Sequence, residues 1–301
     1  MDEDDQQHEE LTLRCSDCRS ARVLKAEFSK KNLWMTGDTS LGRVNWVRAF
    51  GASRFKWLTG FPLLLWRFAL ACFGVGVLIW SIVHEEVDGD AFSFGYWMYT
   101  LTHWMVVVNA LCVVSLFICT CTTQLKYKET SDIWKTTDLP HIARIAWVTK
   151  IISLSGSMFV VLLFWLLLKE TAHPLAILSH GGLWAAIVFD HLFIGMQPYL
   201  LVQYVWVLVF GICYGFWTLI FHWANLTNKE GNPWIYAPIK WKTAPGTAAF
   251  WAFGSLVVIL LPLYILFWLL NFCRKQAIYR VSEGSGTSKI VSGGGPITQQ
   301  I

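Results

Sequence analysis

Six long apolar runs constrain this chain more than any other feature: about 62–83, 96–120, 147–168, 174–194, 199–223 and 247–272. Each approaches or exceeds the ~20 residues that cross a bilayer core as an α-helix. Transmembrane strands would instead alternate apolar and polar residues in units of ~10, and these runs are continuous. Composition agrees. The chain is 55% hydrophobic and 15% charged, with a mean hydropathy of +0.46, whereas soluble domains carry about 25% charged residues. The expected fold is all-α: an integral membrane bundle of six transmembrane helices.

Charge placement orients the bundle. Ten Lys/Arg lie between Arg14 and Lys56, ahead of the first run, and the loop HEEVDGDAFSFG after it has none. Four more (Lys126, Lys128, Lys135, Arg144) lie between the second and third runs, and another four follow the sixth. By the positive-inside rule both termini are cytosolic. The net charge of +4 is thus a topological signal, and nucleic acid is not an expected partner; membrane lipids are. The start MDEDDQQHEE is polar and has no signal-peptide pattern. Residues 1–60 read as a cytosolic tail with a basic, aromatic juxtamembrane stretch, RVNWVRAFGASRFKW, expected along the inner interface. Residues 61–273 form the membrane domain. The Gly/Ser-rich stretch 274–301 reads as a disordered cytosolic tail. The membrane itself, plasma membrane or endomembrane, and any protein partner are left open.

Cysteine adds little. Cys15 and Cys18 form one CxxC without a second pair, which does not make a zinc site, and no metal or cofactor is expected. Cys119, Cys121 and Cys273 lie where palmitoylation is feasible, and Asn225-Leu226-Thr227 is a glycosylation sequon close to the end of the fifth run.

Ionisable residues inside hydrocarbon are costly and therefore informative. The stretch HGGLWAAIVFDHLF, residues 180–193, holds His180, Asp190 and His191 within the fourth run. Thr102 and His103 lie ~10 Å inside the second run, at 1.5 Å per residue, and His180 lies at nearly the same depth in the fourth. His222 closes the outer end of the fifth run, and His173 precedes the fourth. His180 and His191, eleven residues apart, share a helix face that should turn inward, with Asp190 paired sideways to a neighbouring helix or wet near the cytosolic interface. A hydroxyl beside an imidazole can act as a nucleophile–base pair. It can equally line a proton path, or bond across helices for structure alone.

The stretch GNPWIYAPIKWKTAP, residues 231–245, resembles the signature loop of rolling stone-like proteins, Gly-x-Pro-Tyr-Ile-Tyr-Pro-x-Leu-Asp-Trp-x-x-Pro. Gly231, Pro233, Ile235, Tyr236 and Trp241 fit, whereas Trp234, Pro238 and Lys240 depart from it. YWMYTLTHW (96–104) is similar to that family's Tyr-x-x-Tyr-Leu-Thr-Asn-Trp, and Phe164-Trp165 to its third helix. The resemblance spans roughly residues 60 to 275. It implies a multi-pass membrane protein, one member of the family being implicated in myoblast fusion. The family looks distantly related to the androgen-induced-gene family of six-helix hydrolases, which cleave fatty acid esters of hydroxy fatty acids with an intramembrane Thr and His. Leu101-Thr102 matches the Leu-Thr pair. The His-Gly-x-His motif reads His180-Gly181-Gly182-Leu183, so the position of the relatives' base holds leucine. Three readings follow: a non-catalytic protein of membrane organisation, adhesion or fusion; a lipid-ester hydrolase using Thr102 with His180 or His103; and a proton-coupled transporter using Asp190 and His191. The first is the leading expectation, with Thr102 and His180 close together but not a complete catalytic pair. The 224–246 loop should pack on the outer mouth of the bundle, its Trp and Tyr side chains at the interface and four Pro/Gly residues restricting its backbone.

Overall fold

The computed structural model describes residues 46–87, 97–126, 139–168, 174–228 and 230–273, together with Phe28 and Leu33. The two tail stretches beyond these, with Cys15, Cys18 and residues 274–301, lie outside the described residues, as does His173. All regular elements among the described residues are helical. A short helix α1 (Trp46–Gly51) precedes the spans. Next come α2 (Phe61–Val87), α3 (Leu101–Lys126) and α4 (His141–Leu163), the last extended by a π-helical turn at Phe164–Leu168. Helix α5 runs over Pro174–Ile194, α6 over Tyr204–Trp223 and α7 over Pro245–Cys273. Among the described residues, six helices are long and apolar enough to cross a membrane. The bounds of the apolar runs hold within a few residues except at α3, which begins and ends about five residues later than its run, and at α4, which begins at His141. Arg144, counted with the loop, lies inside its first turns, where Pro140 starts the helix.

Helices α3 and α4 form the centre. Their spanning windows are 56% and 72% buried, against 28–33% for the other four. Small residues let the outer helices approach closely, as membrane bundles require. A Cβ on Gly74 of α2 would lie 2.5 Å from Val113 of α3, and one on Gly215 of α6 would lie 2.5 Å from Phe253 of α7. Across α3 and α4, Ser157 donates to Asn109 at 3.0 Å. The outward faces of the spans carry exposed Leu65, Phe68, Ile79, Leu111, Val209 and Val257, suited to acyl chains.

One expectation is corrected at the N-terminal side. Part of the stretch expected to lie along the interface turns inward: Trp46, Val47, Ala49 and Phe50 of α1 are buried in the core, whereas Phe55 and Trp57 after it stay exposed. Apolar residues at i, i+1, i+3 and i+4 give α1 a face that α3 covers, and buried Arg67 fixes it by donating to the Phe50 carbonyl at 2.9 Å. The bundle therefore includes α1 besides the six spans.

Candidate functional site

Helix α3 opens at Leu101, and the first N–H groups of any helix lack partners within it. The Leu101 N–H donates to the Tyr236 hydroxyl at 3.0 Å, a cap delivered by the loop between α6 and α7. One residue on, Thr102 Oγ1 lies 3.1 Å from His180 Nε2 of α5. His180 sits in a π-helical turn, Leu178–Gly182, a local widening that recurs at functional sites. Its Nδ1 is 3.0 Å from the Ala176 carbonyl and 3.1 Å from Ser179 Oγ, which itself donates to the Leu175 carbonyl at 2.7 Å. A carbonyl only accepts, so the network assigns the proton to Nδ1 and leaves the Nε2 lone pair to accept from the threonine. The Phe164 ring stacks on the imidazole, with centroids 3.6 Å apart and planes 14° apart.

Thr102 also faces a cavity. Its wall is built from α3, α4, α6, α7 and the loop, and is almost wholly apolar: Met105, Phe159, Val160, Val207, Phe210 and Leu260 are typical, with Thr102, Tyr214, Tyr236 and Ser255 as polar members. Its volume is about 120 Å³, on a measure by which one water needs roughly 10–15 Å³. That is room for a flexible apolar group of many atoms. Along α7 the lining runs from Trp251 to Leu260, ~13 Å at 1.5 Å per residue.

The other residues singled out by the sequence fall elsewhere. His103 turns to its own N-terminal side, with Nδ1 2.5 Å from the Trp97 carbonyl and 2.9 Å from Thr100 Oγ1, and its ring stacked on Trp97. His222 ends α6 at the mouth and is half-buried; Asn225, after it, is exposed and adopts a positive φ of 52°, closing the helix. His191 is buried, 5.7 Å from the Tyr199 ring between centroids. Leu183 is fully buried in the core, near Gly74 of α2. Cys119 is buried and Cys121 partly so. No group of three or more His, Cys, Asp or Glu among the described residues could hold a metal ion.

Asp190 does pair sideways, and with two cations. Its Oδ2 accepts from Lys150 Nζ at 2.9 Å, and its Oδ1 accepts from Trp66 Nε1 at 3.1 Å and lies 3.5 Å from Arg67 Nε. Lys150 also bonds Gln197, and Arg67 reaches Thr120 at 2.9 Å. Arg67, Lys150, Asp190 and Gln197 are all buried. Arg67 and Lys150 had escaped the sequence reading, although an ionisable residue inside an apolar run is itself the signal.

The loop packs on the helix ends. Trp241 Nε1 donates to Thr218 Oγ1 at 3.2 Å, Ile235 and Ile239 are buried, and Lys240 lies over the Trp234 ring at 4.5 Å. Burial pushes the Tyr236 phenol above its ordinary value, opposed by the Leu101 N–H and by the hydroxyls of Tyr214 and Thr102.

No protein-family profile matches the chain, and no solved structure matches it. Among curated proteins it is similar to Protein rolling stone of Drosophila melanogaster, 24% identical over 188 residues. The match covers 59% of this chain and 66% of the relative, just under two thirds of its length. With the six apolar helices, this distant likeness supports a rolling stone-like, multi-pass membrane protein.

Proposed function

We propose that this chain is an intramembrane hydrolase of lipid esters, with Thr102 as nucleophile and His180 as base. One observation carries the reading: the Thr102–His180 hydrogen bond stands at the edge of an apolar cavity, with the imidazole held in the tautomer a base requires. As Thr102 Oγ attacks the ester carbonyl carbon, its proton passes to His180 Nε2. Collapse of the tetrahedral intermediate expels the alcohol, which takes that proton back. Water then repeats the sequence on the acyl-threonine and releases the acid. Phe164, stacked on the ring, favours the imidazolium formed midway. The acyl chain occupies the cavity.

The site departs from the androgen-induced-gene hydrolases, whose base position is Leu183. In this reading His180, one turn earlier, takes over the role because the π turn directs it at Thr102. Both termini are cytosolic, which puts Thr102 and His180 toward the outer leaflet. Transport coupled to Asp190 finds no support, because Trp66, Arg67 and Lys150 enclose that carboxylate. A role in membrane organisation, adhesion or fusion rests on the resemblance and is compatible with lipid remodelling by this site.

The test is turnover of a long-chain 4-methylumbelliferyl ester by purified protein in lipid nanodiscs. Thr102→Ala should fall to the background rate and Thr102→Ser should retain activity. A fluorophosphonate probe should label the wild type at residue 102. Equal turnover by wild type and Thr102→Ala, with both folded, would overturn the proposal.

A further inference from the structure

A nucleophile and a base do not complete an acyl-transfer site. The carbonyl oxygen becomes an anion in the intermediate, and in a low-dielectric cavity it needs donors already in place. The loop between α6 and α7 supplies one. Tyr236 lines the cavity beside Thr102, and its hydroxyl oxygen already accepts the Leu101 N–H at 3.0 Å. Its own proton therefore points elsewhere, and the hydroxyls of Thr102 and Tyr214 line the same cavity. Tyr214 commits its proton to the Tyr99 carbonyl at 3.1 Å. The Tyr236 O–H is thus the donor free to turn onto a new acceptor at Thr102.

We propose that Tyr236 is a catalytic residue of this site, its O–H donating to the oxyanion that forms when Thr102 attacks an ester carbonyl. The assignment rests on the hydrolytic reading of Thr102 and His180. In the step, the Thr102 Oγ–carbon bond forms, the carbonyl electron pair moves onto oxygen, and the Oγ proton goes to His180. Tyr236 gives up no proton; its hydrogen bond shortens onto the new charge and relaxes when the alcohol leaves.

The loop is built to hold that hydroxyl still. Buried Ile235 and Ile239 flank the tyrosine on either side, and Trp241 is tied to Thr218 of α6. Gly231 adopts a positive φ of 77°, and the Asn228 side chain accepts from the Asn232 N–H at 2.8 Å, fixing the turn that enters the stretch. A donor positioned before the reaction costs no reorganisation during it. The loop that resembles a family signature thereby acquires a chemical task, beyond covering the mouth.

The same 4-methylumbelliferyl ester assay in nanodiscs tests the assignment with Tyr236→Phe and with 3,5-difluorotyrosine incorporated at position 236. Loss of one oxyanion donor should lower kcat about 10²–10³-fold and leave KM within a few-fold. Difluorotyrosine keeps the shape and makes the phenol more acidic, so the alkaline limb of the kcat–pH profile should move to lower pH; a merely structural hydroxyl would not move it. Wild-type kcat in a folded Tyr236→Phe, with Thr102→Ala inactive, overturns Tyr236 and leaves the hydrolytic reading intact. If Tyr236→Phe unfolds, an unmoved alkaline limb in the difluorotyrosine protein overturns it. Should the wild type show no Thr102-dependent turnover, both fall together.

Discussion

The bundle keeps polar groups at two depths and treats them in opposite ways. Toward the loop end, Thr102 and His180 are half-buried, and Thr102 borders the cavity. Toward the other end, Arg67, Asp190 and Lys150 form a buried ion-pair cluster that also engages Trp66, Thr120 and Gln197. The contrast separates two meanings of a polar residue in a membrane. Charges enclosed by countercharge join helices, because hydrocarbon offers no alternative partner. An imidazole with one nitrogen anchored and the other on a hydroxyl, next to a cavity, retains capacity for chemistry. The ionisable residues gather at the end away from the loop, yet the hydroxyl–imidazole contact and the cavity lie at the loop end.

The comparison breaks most visibly at Asp190. Asp190→Ala leaves Arg67 and Lys150 buried without their carboxylate, which should cost about 3–5 kcal/mol and show as loss of monodisperse protein and a lower Tm in detergent. Lys150→Met in an Asp190→Asn background should recover part of that loss, with a coupling of roughly 1–3 kcal/mol in a double-mutant cycle. Strict additivity would mean the pair does not act as a unit. At the Thr102–His180 pair the effect on stability should be smaller: Thr102→Ala or His180→Ala removes one neutral hydrogen bond, about 0.5–1.5 kcal/mol, while turnover should collapse. If His180→Ala unfolds the protein as Asp190→Ala does, both regions are structural and the contrast disappears.

The smallest effect is a pH dependence shared by the two ends. Burial pushes the phenols of Tyr236, in the loop between α6 and α7, and Tyr199, between α5 and α6, above their ordinary value. A folded-state pKa above the unfolded one stabilises fully below the unfolded value, about 10, and is lost as pH rises through the folded one. Tm should hold up to about pH 10 and fall beyond it, and Tyr199→Phe and Tyr236→Phe should each flatten the fall. An unchanged slope in both variants would place the alkaline sensitivity elsewhere.

What could be read in advance followed from quantities that add along the chain. Hydropathy located all six spans, because each run alone exceeds the bilayer's demand. Depth counting placed Thr102 level with His180, because rise per residue hardly varies between helices. Neighbours across helices were harder. Asp190 was expected to find a partner, but that Arg67 and Lys150 supply it depends on how α2 and α4 rotate, which no single run encodes. The π turns of α5 at Leu178–Gly182 and Asp190–Ile194 were also unreadable, yet both histidines turn inward as expected, His180 onto Thr102 and His191 into the core beside Tyr199. His103 looked equivalent to His180 as a base, yet adjacent residues on a helix point about 100° apart, and it bonds the Trp97 carbonyl instead. Tyr236 drew attention as a signature-loop residue and an interfacial aromatic. Its hydroxyl became significant once it was seen to cap the start of α3.

The charged cluster also sets a schedule. Arg67 leaves the ribosome 123 residues before Asp190, the carboxylate beside it. At about 5–20 residues per second that is an interval of roughly 6–25 s. Throughout it, helix α2 carries an uncompensated guanidinium, joined later by the ammonium of α4. Neither helix can be released into lipid as a finished unit without exposing that charge. That exposure costs about 2.5–3.5 kcal/mol for a cation at mid-helix, a cost that favours retention of the early helices until the fourth span brings the carboxylate.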